Sequence, residues 1–370
     1  MQKVCSVWTA GDFNAKKCIG YNFGQGIIKQ GYKIDQHYPG LIAPMNPPFC
    51  HLVVANGFRN PVCDAARFLK EKGDVNTIVY DLGYLDRSDA KNKNGYYQLG
   101  LNRIGWTPEF KCPSDRFDNL GYKIIEVGDN GNNCVLVCAQ KFNDGQHGMS
   151  APQMKKLMLE TCHKYAKLGY EVIFRSHPKS PFKLDNYETP KGSLKECFDR
   201  CRFMVTYNST AGVEALLNGT PVIAIDEGAH YKCVSSELIE SEGLTFLTIP
   251  TIEGLEEYFY RLAYSQWKLN EVNDGYPFKF ILAVMKGKNP FDLDIDYTAL
   301  QPNNSIPQSE VSDAGKIETE LLPKCIGETS LTIEGLAWME ARIKVKTVTG
   351  LWPKNKVEMG EIVEKYNGKA

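Results

Sequence analysis

The sequence lacks any apolar run approaching the roughly eighteen residues that cross a bilayer, so no spanning helix is expected. No signal-peptide hydrophobic region forms before Gly11 and Asp12, and the expected location is cytoplasmic. Net charge is also missing: 43 Lys and Arg face 44 Asp and Glu, a formal charge of −1. That excludes a globally basic nucleic-acid binder, although a local basic face can vanish in such a total. The twelve cysteines include no CxxC pair. The nearest neighbours, Cys134 with Cys138 and Cys197 with Cys201, sit in apolar patterns and read as free buried thiols in a reducing compartment. No internal repeat or low-complexity tract occurs, and no DxD-type run sits at a suitable strand end, so no metal and no resident cofactor are expected.

What is present is length enough for two domains or three: 370 residues against about 100 to 200 per domain. Residues 3 to 9 read as a buried strand, followed by a turn, a helical stretch to about residue 30 and a second strand. CHLVVAN, PVCDAARFLKEKG and NTIVYD repeat the pattern as strand, helix and strand, with Pro opening and Gly closing the helix. A polar loop over residues 82 to 98 follows, too long for a simple connection. After NGNN, a plausible hinge, a second α/β series runs from NCVLVCAQ through a long helix opened by Pro152 to PVIAID at residues 221 to 226. An aromatic-rich helix is expected over residues 253 to 268. The fold class is α/β, with two Rossmann-like domains facing a cleft: residues 1–130 and 131–285, then a linker over 286–330 and a helical, basic extension over 331–370.

Three signals carry chemistry. In VTYNSTAGVEALLNGTPVIAIDEG, a strand ends at Asn208 and Ser209-Thr210 opens a helix; hydroxyls and free N–H groups there suit a phosphate, and Glu214 one turn later suits ribose hydroxyls. The bland alternative is a helix cap. In FRSHPKS, a strand runs into a loop with Arg175, His177, Pro178 and Lys179. Pro178 holds His177 extended, which aims an imidazole able to serve a leaving phosphate near neutral pH. The alternative is a lone surface histidine. Asp12 and Asp81 each follow or end a strand, where a carboxylate can deprotonate a hydroxyl or simply form a turn.

DLGYLDR, SHPK and NSTAGVEALLNGTPVIAID, followed by a helix ending LAYSQW, together resemble the capsule-polysaccharide-type glycosyltransferases, including bacterial Kdo transferases. They are more distantly similar to bacterial sialyltransferases of the two-domain GT-B fold. The similarity covers roughly residues 75 to 285. It implies an acceptor-side first domain and a second domain binding a UDP- or CMP-linked sugar. It implies Asp81 as base, His177 as acid or phosphate ligand, and Ser209 and Thr210 as phosphate ligands, with Arg175, Lys179, Asn208, Glu214 and Glu227 on the donor side. Many relatives carry two acidic residues before the Gly where this chain has one, so Asp86 or Asp12 is an alternative base. The implied reaction is inverting and needs no metal, because side-chain and backbone donors can neutralise the departing phosphate.

For the acceptor the sequence reading favours 5-hydroxymethyl-pyrimidine in phage DNA, narrowly over a capsule polysaccharide or glycolipid. Residues 341 to 370 hold seven Lys or Arg against three Glu, and Lys344, Lys346 and Trp352 are candidate contacts. Arg87, Tyr96 and Tyr97 around the polar loop are further acceptor candidates. A nucleotide-sugar epimerase and a sugar-binding protein are the other readings of two such domains.

Overall fold

The computed structural model describes residues 3–9, 19–39, 50–57, 66, 69–71, 73–88, 92, 94–144, 147–241, 244–293, 361 and 364. The chain divides into two compact units, Met1–Ser312 and Asp313–Ala370. Of the second, only Glu361 and Glu364 are described, both helical and exposed.

The expected α/β class is present as a six-stranded mixed sheet and a four-stranded parallel sheet, both flanked by helices. Strands β1 (Lys3–Thr9), β2 (Tyr32–Pro39), β3 (Leu52–Asn56) and β4 (Asn76–Leu82) are mutually parallel, in the order β4-β3-β1-β2. Helix α1 (Ile19–Ile28) joins the first two strands. Strand β5 (Tyr97–Leu101) then adds to β4 in antiparallel fashion, pairing Asp81 with Gln98 and Leu82 with Tyr97. A short helix, α2 (Asp115–Asn119), leads toward the second half.

The second sheet holds β6 (Cys134–Cys138), β7 (Glu171–Arg175), β8 (Phe203–Thr206) and β9 (Val222–Ala224), all parallel, in the order β7-β6-β8-β9. All five residues of β6 are buried because helices cover both faces. Cys134, Leu136 and Cys138 face one core, while Val135 and Val137 face the other with Met154, Met158, Cys162 and Tyr165 of α3 (Ala151–Lys167). Helix α3 starts as its sequence dictates: Ser150 caps it, Gln153 reaches back to the Ser150 N–H at 2.9 Å, and Pro152 lies in the first turn. Helices α4 (Leu194–Arg200) and α5 (Ala211–Leu217) complete the crossovers, and a hairpin of β10 (Leu238–Ser241) and β11 (Leu244–Leu247) follows β9.

The end of this unit departs from the sequence reading. Helix α6 (Ile252–Ala263) stops short of the expected residue 268. The Ser265 hydroxyl bonds the Leu262 carbonyl at 2.8 Å, and the Ser265 carbonyl accepts the Leu99 N–H at 2.8 Å, which draws the chain out of the helix and onto β5. Gln266–Trp267 form β12, the edge strand of the first sheet. Helices α7 (Leu269–Asp274) and α8 (Tyr276–Met285) then share a core with α1, since Phe23, Ile27, Val272, Phe278 and Ile281 are buried together. The sequence reading runs the second half on to residue 285; the packing instead returns the chain to the first sheet after Ala263.

A buried ion pair fastens that return. Arg116 contacts Glu271 at 2.8 Å, donates to the Gln266 carbonyl at 2.7 Å, and lies 4.2 Å from the centre of the Trp267 ring. The NGNN segment read as a hinge is also tied down. Asn130, Asn132 and Asn133 donate side-chain hydrogen bonds to the carbonyls of Cys201, Arg200 and Gly169.

Candidate functional site

Asp81 lies at the C-terminal end of β4, half-buried, with its carboxylate accepting the Leu82 N–H at 2.7 Å. The chain turns sharply at Gly83. A Cβ there would fall 2.7 Å from the Tyr96 carbonyl and 2.9 Å from the Gln266 Oε1, so this close approach requires glycine. Beyond it the N–H groups of Tyr84 and Leu85 both donate to the Gln266 Oε1, at 2.6 and 2.8 Å. The stretch expected as a long polar loop is therefore partly built: Arg87 bridges to Tyr96 before β5 begins.

His177 follows β7 in a tight turn in which the Ser180 N–H reaches the His177 carbonyl at 2.9 Å. Its Nδ1 accepts the Lys179 N–H at 3.0 Å, which assigns the proton of the neutral ring to Nε2. Desolvation lowers its pKa below the ordinary 6.5, helped by the charges of Lys179, Lys141 and Arg87 and opposed by Asp144.

The turn after β8 is braced from beneath. The Asn208 N–H donates to the Gln140 Oε1 at 2.8 Å, the Gln140 Nε2 to the Asn208 Oδ1 at 2.6 Å, and the Asn208 Nδ2 to Asp226 at 2.6 Å. Asn208 is buried and its amide is spent on this network, so it positions the turn rather than offering a free ligand group. Ser209 and Thr210 are half-buried. The Ser209 hydroxyl takes the Ala211 N–H at 3.3 Å, whereas Thr210 makes no side-chain cap, so the cap reading applies to Ser209 alone. Gly212 is required next, because a Cβ would lie 2.5 Å from the Tyr231 ring.

Charges from the two halves converge. Arg87, from the first half, lowers the pKa of His177 and opposes the desolvation that raises the Glu214 carboxyl; both of those groups belong to the second half. Burial, Asp81 and Asp144 together push the Tyr84 hydroxyl up, with Arg87 opposing. Arg87 thus acts on groups of both halves, Tyr84 in its own and His177 and Glu214 in the other, while Asp81 acts on Tyr84. Tyr84 also stacks directly on His230 of the second half.

Other expected residues are placed elsewhere. Arg175 donates to the carbonyls of Gly192 and Ser193 at 3.0 and 3.4 Å, bracing the entry to α4. Glu227 is exposed and pairs with Lys232 at 3.0 Å. Tyr97, an expected acceptor contact, is buried in the core of the first sheet, with its hydroxyl taking the Ser88 hydroxyl at 3.2 Å. Tyr96 is half-buried under the Lys268 ammonium, 5.1 Å from its ring centre, and burial pushes its hydroxyl up to about 12. Asp86 adopts a left-handed backbone, φ 40°, and its carboxylate accepts the Asn92 amide at 2.7 Å, which makes it a turn former. Asp12, Lys344, Lys346 and Trp352 lie outside the described residues.

Gln140, Asp226, His230 and Gln266 went unread in the sequence. Gln140 and Asp226 had a usable signal, as polar residues just past the buried strands β6 and β9. His230 and Gln266 had none. Among the described residues no helix is long and apolar enough to cross a membrane.

No protein-family model matches the chain, and no curated protein matches it. Among solved structures, the beta Kdo 2,4 transferase KpsC of Thermosulfurimonas dismutans is 11% identical with a TM-score of 0.43, covering 74% of this chain and 98% of that one. The beta Kdo 2,7 transferase KpsC of the same organism is 9% identical with a TM-score of 0.42, over 75% and 99%. The UDP-GlcNAc 2-epimerase of Methanocaldococcus jannaschii is 10% identical with a TM-score of 0.28, over 77% and 99%. Superpositions this loose carry no inference about chemistry.

Proposed function

We propose that the protein is a glycosyltransferase of the GT-B type, moving a sugar from a nucleotide-linked donor to a hydroxyl of a glycan acceptor with inversion at the anomeric carbon. The observation that supports it is the stacking of Tyr84, from the loop that follows Asp81, on His230 of the second half, with the Arg87 charge reaching His177 and Glu214 of that half. A base at the C-terminal end of a strand in one sheet and phosphate-binding groups at the strand ends of the other suit transfer between two substrates. Asp81 takes the proton of the attacking hydroxyl. The new bond forms at the anomeric carbon as the bond to the nucleotide phosphate breaks. His177 donates a hydrogen bond from Nε2 to the departing phosphate, and Ser209, Thr210, Lys179 and Arg87 complete its stabilisation, so donor and acceptor are the molecules the transfer requires. Glu214 takes the ribose hydroxyls.

The glycan acceptor is preferred to DNA on one observation: of the aromatic pair expected to meet DNA, Tyr97 is buried and Tyr96 is half-buried under Lys268. The test is to incubate the protein with UDP- and CMP-linked sugars alone, with oligosaccharide acceptors, and with DNA containing 5-hydroxymethyl-pyrimidine. Nucleotide release that requires the oligosaccharide supports the proposal. Release that requires DNA reverses the acceptor, and interconversion of the donor without any acceptor identifies an epimerase instead.

A further inference from the structure

We infer that Gln266 is a positioning residue for the proposed base, acting through the Gly83–Leu85 turn that it holds from inside the protein; this rests on the transferase reading of Asp81. The side chain is fully buried. Its Oε1 accepts two consecutive backbone N–H groups, from Tyr84 at 2.6 Å and Leu85 at 2.8 Å, just beyond the strand that ends with Asp81. Those N–H groups have left the β-ladder, and a buried N–H without an acceptor is costly, so both rely on this one oxygen, while the Gly83 N–H before them is taken by the Tyr96 carbonyl at 2.9 Å. Two donors on Oε1 also fix which end of the carboxamide faces the turn, since reversal would set an NH2 group against two N–H groups.

The fit is close on both sides. Gly83 has no room for a Cβ because the Tyr96 carbonyl and the Gln266 Oε1 occupy that space. Gln266 is itself held at its backbone, where its carbonyl accepts the Arg116 guanidinium at 2.7 Å and β12 pairs it with Gln98. A chain of contacts therefore runs from the Arg116–Glu271 pair through Gln266 to the turn that separates Asp81 from Tyr84. Gln266 lies behind this turn, fully buried. Its effect is to set the angle at which β4 delivers Asp81 and Tyr84.

The test compares Gln266→Met, which keeps the length and volume of the side chain but removes the acceptor, with Trp267→Phe, which perturbs the next residue of the same strand. Gln266→Met is expected to lower kcat by roughly 10- to 100-fold with the donor KM little changed, as a misplaced but intact catalytic group does. Trp267→Phe is expected to lower the melting temperature while keeping kcat. A folded Gln266→Met protein with wild-type kcat, or equal kcat losses in both variants, overturns the inference. Amide hydrogen exchange at Tyr84 and Leu85 decides the same question without turnover: slow in the wild type and fast in Gln266→Met supports it, and unchanged exchange overturns it. A wild-type protein that transfers no sugar refutes the transferase reading separately.

Discussion

Tyr84 and His230 stack face to face, with ring centroids 3.9 Å apart, and so join the loop after β4 to the second half of the molecule. The Nδ1 of His230 meets the Tyr258 hydroxyl at 3.0 Å, and its Nε2 is buried with no hydrogen-bond partner among the described residues. Burial lowers its pKa from 6.5 to about 3. The folded chain thus keeps a neutral imidazole where the unfolded chain takes up a proton.

The consequence is a stability that is complete above pH 6.5 and falls as the pH drops from there toward about 3, by up to about 1.4 kcal/mol per pH unit for one such histidine. His147 and His177 are lowered in the same direction and add to the slope. Urea midpoints measured between about pH 7.5 and about pH 5 should fall on acidification in the wild type and fall less in His230→Gln. Equal slopes in the two proteins would show that His230 is not held neutral.

Asp81→Asn and His177→Ala should each reduce sugar transfer by roughly 10²- to 10⁴-fold, the range of a lost acid or base. Both should leave folding intact. The Asn side-chain oxygen can still accept the Leu82 N–H, and His177 contributes one short-range bond to the Lys179 N–H. Circular dichroism and steady-state kinetics check the two halves of this expectation; a folded Asp81→Asn enzyme at full rate removes Asp81 as base.

Glycine positions separate tight from open sites. Gly212→Ala places a methyl group 2.5 Å from the Tyr231 ring, and overpacking of this kind costs about 1 to 3 kcal/mol. Gly128→Ala meets nothing within 4 Å and should be close to neutral. Thermal denaturation of the two variants should rank them clearly, and equal melting temperatures would contradict the packing of Tyr231 beneath α5.

The Arg116–Glu271 pair is buried on both sides, with about 6% of each side chain exposed. Removing one partner strands the other, so Arg116→Met or Glu271→Gln alone should cost about 3 to 5 kcal/mol, and the double variant should recover part of that loss. A double-mutant cycle in urea measures the coupling; strict additivity would mean that the pair does not act as a unit.

Much of the fold was legible because its signals are local. The buried run CVLVC, the Pro152 start and Gly169 end of α3, and the Gly219 end of α5 each announce an element from a few adjacent residues. The placement of Asp81, His177 and Ser209-Thr210 at or just past the ends of apolar strands was legible for the same reason. What stayed hidden depends on distant partners. Gln266 reads as the tail of a helix until Gln98 pairs with it. Tyr96 and Tyr97 look alike in sequence, yet strand alternation sends one toward Lys268 and the other into the core. Arg175 and Asn208 sit where phosphate ligands were expected, and only their hydrogen bonds show them committed elsewhere.

The edge position of Gln266–Trp267 bears on the order in which the molecule is assembled during synthesis. The ribosome releases β5 with its outer edge bare, and the strand that covers it emerges only after the whole second sheet has been made. The first half therefore cannot be finished before the second, and a nascent chain ending ahead of Gln266 would expose an open sheet edge and a stranded Arg116 to its neighbours on the polysome.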